Sequence, residues 1–308
     1  MLGDVTTEER LDKVSSLGYA WGYLGSCIPF AGCLVLVLGA EIFGLTMEVS
    51  MGLAFALVGI WWIAMSLPVI KNYRQKYYVE RKLHPVKESF TRLGRTIKNV
   101  KKEKKIFLFL LAFFFYIDGV YTIIDMATAY GTSLGFDSTG LLLALLVTQI
   151  VAFPFAIIFG RLAGKYNTSK LITVCIAAYF GIAVFAVFLK MQWQFWLLAI
   201  LVGMFQGGIQ ALSRSYFTKI IPQEQSGEYF GLLDICGKGA SFLGTTIVSV
   251  ISQLTGSVNV GVGMIALLFV VGIILFRMAD KADCQQKTYR GEYYNEKYYQ
   301  RAEEFTIS

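Results

Sequence analysis

The chain has 308 residues, of which 56% are hydrophobic and only 16% charged, whereas an ordinary soluble domain carries about 25% charged residues. Its mean hydropathy of +0.57 counts against a soluble enzyme, and 30 Gly and 24 Phe against 5 Pro suit glycine- and aromatic-rich helices in lipid rather than a collagenous or disordered chain. A formal charge of +7 would suggest nucleic acid in a soluble protein, but here the charges sit between apolar runs, so no nucleic-acid partner is expected.

Crossing the hydrocarbon core takes about 20 mostly apolar residues. In chain order the runs that qualify lie at roughly 17–40, 49–70, 106–130, 138–160, 170–189, 194–216, 229–252 and 258–277. The runs are continuous rather than alternating, which predicts an all-α integral membrane protein of about eight transmembrane helices and not a β-barrel. The segment before the first run, Met1 to Ser16, is polar, lacks the pattern of a signal peptide and reads as a loop.

Lys and Arg recur on alternate sides of these spans. Arg10 and Lys13 precede the first, Arg161, Lys165 and Lys170 follow the fourth, Arg214 and Lys219 close the sixth, and Lys190 alone lies on the other side. The stretch from Lys71 to Lys105 adds a dense basic run, including Arg74, Arg81, Arg92, Arg95, Lys98 and Lys101. The positive-inside rule therefore places this loop and both termini in the cytoplasm. The expected organisation is residues 1–70 with two spans, 71–105 as a basic cytoplasmic loop, 106–278 as a six-helix bundle and 279–308 as a cytoplasmic tail.

Few residues support enzyme chemistry. Cys27, Cys33, Cys175, Cys236 and Cys284 form no CxxC, and His84 is the only histidine, so zinc, haem attachment and a disulfide framework are set aside, and no cofactor or metal is expected. Gly237-Lys238-Gly239 lacks the spacing of a phosphate loop, and neither a Ser/His/Asp nor an HExxH arrangement appears.

Two spans before a long basic loop and six after it resemble part of the major facilitator superfamily, in which two six-helix halves flank a long cytoplasmic loop. Several phrases are similar to the vacuole effluxer family related to autophagy protein twenty-two, whose bacterial members are permeases. They are Val14-Ser-Ser-Leu-Gly-Tyr-Ala-Trp-Gly-Tyr23, Tyr116-Ile-Asp-Gly-Val-Tyr-Thr-Ile-Ile124, Thr148-Gln-Ile-Val-Ala-Phe-Pro154, Gly203-Met-Phe-Gln-Gly-Gly-Ile-Gln-Ala-Leu-Ser-Arg214 and Glu228-Tyr-Phe-Gly-Leu-Leu-Asp234. The resemblance implies a major-facilitator-type bundle in which the eight spans correspond to helices five to twelve, without the first four. It also implies a counterpart of the superfamily's loop motif at Gly160, Leu162, Lys165 and Lys170. There Gly164 replaces the expected acidic residue and Asn167 the second glycine, which puts a charge latch using that carboxylate in doubt.

Ionisable groups near a bilayer midplane cost about 2.5–3.5 kcal/mol on insertion scales, so they tend to face cavities or one another. Asp118 and Asp125 lie seven residues apart on nearly one helical face and could line an aqueous path. They would serve as a proton or cation relay or a site for an amine, or else hydrogen-bond to neighbouring helices. Asp234 and Lys238, at i,i+4, form an opposite-charge pair on one face. Lys238 also stands at a depth similar to Asp118, which allows an interhelical pair. Gln206, Gln210 and Arg214 make a polar stripe beside the small-xxx-small pair Gly203 and Gly207, with Arg214 read as an interface anchor, and Gln149 lies near the helix kink at Pro154.

From these residues and the resemblance, the expected activity is secondary transport of a small polar solute through a bacterial plasma membrane by alternating access. Amino-acid efflux is implied by the family, and protons are a candidate coupling ion. The alternative is a truncated permease acting as a partner subunit or inactive remnant, which implies a separately encoded four-helix N-terminal segment.

Overall fold

A computed structural model describes residues 2–73 and 85–282. His84, Cys284, the basic residues Arg74 to Lys82 and the tail beyond residue 282 lie outside the described residues.

The described residues are all helical apart from short connections. A short helix α1 (Leu2–Val5) and a 3-10 turn (Glu8–Arg10) lead into α2 (Leu11–Leu38) and α3 (Met47–Asn72). Then come α4 (Pro85–Lys102), α5 (Lys104–Ser133), α6 (Ser138–Leu162), α7 (Thr168–Val187), α8 (Gln192–Ile220), α9 (Ser226–Thr255) and α10 (Val258–Lys281). Eight of these, all but α1 and α4, are long and apolar enough to cross a membrane. The 30 residues of α5 reach about 45 Å at roughly 1.5 Å per residue, the full thickness of a bilayer with its headgroups.

Local chemistry marks the helix ends. Asp137 caps α6 by accepting the Gly140 N–H at 2.7 Å, and Asn167 caps α7 by accepting the Ser169 N–H at 2.9 Å. Gly256, at φ +67°, ends α9 in the left-handed region that favours glycine.

Six helices, α5 to α10, pack as one bundle: α5 against α9 and α10, α6 against α8, and α7 against α8 and α10. The second helix lies on the α6–α8 face, and α3 packs on α2. In the most apolar window of α5, 67% of residues are buried, against 6% in α3. The first is therefore central and the second peripheral, with Phe55, Trp62 and Ile70 more than 70% exposed, as lipid contact requires.

Close approach depends on small residues. A Cβ on Gly203 would stand 2.6 Å from the Thr148 carbonyl oxygen, and one on Gly207 would stand 2.7 Å from the Ala156 Cβ. The Gly203/Gly207 pair thus sets the α6–α8 contact in the manner the small-xxx-small pattern predicts. Between α5, α8 and α10 the core is aromatic: Phe109 stacks on Phe217 at 5.4 Å and on Tyr216 at 5.3 Å, and the Tyr116 and Ser213 hydroxyls hydrogen-bond at 2.7 Å.

Because the spans alternate in direction, α2, α5, α7 and α9 begin at one end of the bundle, and α3, α6, α8 and α10 finish there. This end carries Lys104, Arg161, Lys165, Lys170, Lys219 and Lys281 and is called the basic end below. Two expectations change here. The start reads as a loop in sequence, but Leu2–Val5 and the residues from Leu11 onward are helical, and Asp12 in the second of these helices is held by neighbours described below. The stretch 71–105 contains the helix α4, which docks Thr96 and Val100 onto α5 and α9.

Candidate functional site

Near the basic end, α2, α6, α8 and α9 surround a cavity of about 1020 Å³. Its polar wall is Tyr19 and Tyr23 from α2, Gln149 from α6, Gln210 and Arg214 from α8, and Asp234 from α9. Leu2, Tyr73 and Gly227, at the helix termini, line its mouth. Spacing of i,i+4 brings Tyr19 and Tyr23 to one face of α2, as it does Gln210 and Arg214 on α8. Gly18 and Gly22 keep the α2 wall low; a Cβ on either would meet nothing within 4 Å.

The strongest polar contact in this wall is an interhelical ion pair. Arg214 Nη2 donates to Asp234 Oδ1 at 2.6 Å, with the two side chains 41% and 50% exposed. The guanidinium also stands 5.9 Å from the centre of the Phe230 ring, a position where the ring face attracts a cation. Opposite, the Tyr23 hydroxyl donates to Gln210 Oε1 at 3.3 Å. This wall offers one cation, one anion, two phenols and two amides within a largely apolar space, a composition suited to orienting a polar solute.

Two smaller spaces adjoin it. One, of about 190 Å³, shares Tyr19, Gln210, Arg214 and Asp234 with the large cavity and adds Tyr121 and Lys238. The other, of about 260 Å³, shares Ser26 and Gln149 and reaches Thr148, Gln206, Phe30 and Phe195. Gln149 Oε1 is buried without a hydrogen-bond partner, and Gln206 is buried beside the smaller space.

Gln149, Gln206, Gln210, Asp234 and Lys238 are thus brought together around contiguous spaces. The expected Asp234–Lys238 pair is not formed, because the planar guanidinium of Arg214 reaches Asp234 from α8 and takes the carboxylate. Arg214, read in sequence as an interface anchor, is a wall residue instead. Nor does Lys238 meet Asp118, and no carboxylate of the described residues lies within salt-bridge distance of the lysine.

Asp118 is fully buried between α5 and α9. Its Oδ1 accepts the Gly244 N–H at 3.0 Å and the Thr122 hydroxyl at 3.4 Å, while Oδ2 has no partner. Lacking a side chain, Gly244 lets the α9 backbone come within reach. Asp125, though on nearly the same helical face, is exposed, so the two carboxylates occupy opposite environments rather than one aqueous path.

Sequence reasoning missed the polar cluster that closes the basic end. Asp12 on α2 accepts Lys219 Nζ at 2.5 Å and the Thr168 hydroxyl at 3.1 Å through Oδ2, and the Ser215 hydroxyl at 2.5 Å through Oδ1. Nearby, the Ser15 hydroxyl donates to the Ala211 carbonyl at 2.8 Å, and a Cβ on Gly160 would meet the Ser16 Cβ at 2.6 Å. Where the loop motif lacks its acidic residue, a carboxylate from α2 meets a lysine from α8. Lys165 and Lys170 of that motif are exposed. In the sequence Asp12 lies ahead of the apolar run that begins near residue 17, and only the structure, which starts α2 at Leu11, brings it into a helix facing α8. At the cavity mouth the Tyr73 hydroxyl donates to Asp4 Oδ2 at 2.6 Å, and this bond holds the phenol up to about 12.

Comparison with known proteins adds the following. The family described as "Vacuole effluxer Atg22 like" matches residues 4–287. A protein of Bacillus subtilis (strain 168), named an uncharacterized MFS-type transporter, YxiO, is 44% identical over 89% of this chain and 64% of its own length. Autophagy-related protein 22 of Coccidioides immitis (strain RS) is 26% identical over 90% of this chain and 50% of its own length. The protein of the same name from Cryptococcus neoformans var. neoformans serotype D (strain B-3501A) is 26% identical over 87% and 52%. The chain therefore spans about half to two thirds of the length of these relatives.

Proposed function

The chain belongs to the vacuole effluxer Atg22-like family, and we propose that it works as a major-facilitator-type secondary transporter, or as part of one, for a small polar solute. The observation that carries this reading is the cavity of about 1020 Å³ whose wall holds the Arg214–Asp234 pair between two phenols and two amides. A zwitterion fits this chemistry: its carboxylate engages Arg214 and its ammonium engages Asp234, which favours an amino acid. Transport proceeds by rocking of α2 and α3 against the α5–α10 bundle around this site, with the basic end and both termini in the cytoplasm of a bacterial cell.

The coupling ion is a proton or none. Asp118 and Asp234 are the carboxylates within the spans that suit the role, and the lone Oδ2 of Asp118 supports the first. Asp118→Asn keeps the acceptor for Gly244 and removes the titrating proton. Proton-driven uptake by reconstituted protein should vanish in this variant while its thermal unfolding stays in place; undiminished uptake would refute the assignment.

The reading is tested first by stabilisation. Purified chain in lipid discs is heated with each of the common amino acids, since a ligand that binds the folded state raises Tm in a concentration-dependent way. A shift should appear for at least one neutral amino acid and disappear in Arg214→Gln. No shift with any of them, together with no uptake in liposomes, would remove the amino acid from the proposal.

A second reading, that further membrane helices from the same or a separately encoded polypeptide complete the site, is favoured by the outer faces of α2 and α3. Apolar residues there are exposed along both helices, among them Trp21, Ile28 and Val35 on α2 and Phe55, Trp62 and Ile70 on α3, and such faces are covered by lipid or by further helices. Uptake by the chain alone would refute it; uptake only on addition of a four-helix partner would support it.

A further inference from the structure

The fourth helix is unlike the others. It is too polar to span a membrane, yet its residues segregate sharply by face. Thr96 and Val100 are 1% and 5% exposed against the bundle, and the Thr96 hydroxyl donates to Glu228 Oε2 of α9 at 2.5 Å, which fixes the rotation of α4 about its own axis. With that rotation set, Phe90 and Ile97, seven residues apart and so nearly aligned, remain 71% and 42% exposed. Arg95, Lys98, Lys101 and Lys102 occupy the remaining arc, and all four are exposed. Between residues 92 and 105 the chain carries seven Lys and Arg against Glu103 as the only acid.

Position selects the partner. The helix ends at Lys102 and the span α5 begins at Lys104, so α4 sits where the spans leave the hydrocarbon, at headgroup level. A protein groove that swallowed α4 would need its whole apolar arc, but Thr96 and Val100 are already used inside the molecule. A lipid surface needs only the part left over: two apolar side chains flanked by cations whose long stems reach phosphate.

We propose that α4 is an interfacial helix that binds anionic lipid at the basic end. Arg95, Lys98, Lys101 and Lys102 engage the phosphate-bearing headgroups, and Phe90 and Ile97 enter the boundary with the acyl chains. This assignment is independent of what, if anything, the chain transports.

The test is amide hydrogen exchange of the full chain in lipid nanodiscs. One set holds phosphatidylcholine alone and the other holds phosphatidylcholine and phosphatidylglycerol in equal parts. Exchange across residues 89–102 should slow by about tenfold or more with the anionic lipid, while α5 and α10 exchange alike in both sets. The difference should disappear in the R95Q/K98Q/K101Q/K102Q variant. In the unaltered protein it should shrink at high salt, which screens surface charge without any risk to folding. Equal exchange of α4 in both discs would overturn the proposal. Slowing by inorganic phosphate in pure phosphatidylcholine discs, to the extent seen with phosphatidylglycerol, would also overturn it, because the site would then belong to a soluble anion.

Discussion

Replacing Asp12 by Asn tests whether the polar cluster at the basic end holds α2 to the bundle. The substitution preserves shape and removes the charge that Lys219 meets at 2.5 Å. Breaking a buried ion pair by removing one partner costs about 3–5 kcal/mol, whereas an exposed pair is worth about 0–1 kcal/mol. With side chains 11% and 28% exposed, and with Ser215 and Thr168 still able to bond the amide, this pair lies between those limits, at about 1.5 kcal/mol, or roughly tenfold in an opening equilibrium. Amide exchange should therefore rise about tenfold in Leu11–Ser16 and in Thr168–Ile172, with the α5–α10 contacts unchanged. Lys219→Gln should do the same, and the double variant should cost little more than either alone, because both remove one interaction. Exchange unmoved by Asp12→Asn, or strictly additive effects in the double variant, would refute the latch.

Other consequences follow from particular contacts. Gly207→Leu must displace Ala156, whose Cβ lies 2.7 Å from the position of the new Cβ, and should lower stability by about 2–3 kcal/mol; Gly239→Ala, at a position with nothing within 4 Å, should leave the thermal midpoint in place. Tyr116→Phe removes the 2.7 Å bond to Ser213 and should cost about 1 kcal/mol in thermal unfolding, without altering any solute response, since this hydroxyl faces the core. Tyr73 donates to Asp4, so its folded pKa lies above the unfolded value of about 10. The bond's contribution is complete below that pH and is lost as pH rises through about 12. The tyrosinate absorbance missing in Tyr73→Phe should titrate near 12 and shift down toward 10 in Asp4→Asn.

The membrane spans were legible because each is a single long apolar run, and the hydrocarbon core leaves a chain few alternatives to a helix. Helix–helix contacts were legible where backbone approach needs small residues, as at Gly203 and Gly207. Pairings between helices were not. Asp234 lies four residues from Lys238 on one helix, and local spacing favoured that pair, yet Arg214, twenty residues away in sequence, takes the carboxylate. Periodicity assigns a face to each residue but does not say which helix meets that face. The same gap hid the Asp12 cluster, whose partners lie 156 to 207 residues away. Asp118 shows a further limit: composition marked it as an unusual charge in a span, but only the approach of α9 at Gly244 determines that it is enclosed rather than wet.

The last two turns of α8 show where the molecule can divide. Ser213 bonds to Tyr116 of α5, Arg214 to Asp234 of α9, Ser215 and Lys219 to Asp12 of α2, and Tyr216 to Asp280 of α10 at 3.1 Å. Four neighbouring helices are thus fastened to one short stretch. Three of them, α5, α9 and α10, are also packed against one another, so α8 cannot shift relative to any one of them without straining the rest. The attachment to α2 differs. At α8 it is made by polar contacts of Asp12 and Ser15 with Lys219, Ser215 and the Ala211 carbonyl, while along α6 the helix is closely packed, with Leu11 and Ala20 buried and α3 behind it bound mainly to α2. Polar contacts at a water-facing end can exchange with water at small net cost, whereas separating the stacked core of Phe109, Phe217 and Phe276 would expose large apolar area. The contact with α2 is therefore the attachment of the α8 end that water can most readily replace, while α2 stays packed along α6. The cavity bearing Arg214 and Asp234 is lined by α2 and α8 as well, so any parting of these two helices at the basic end would break the contacts of Asp12 and widen that cavity.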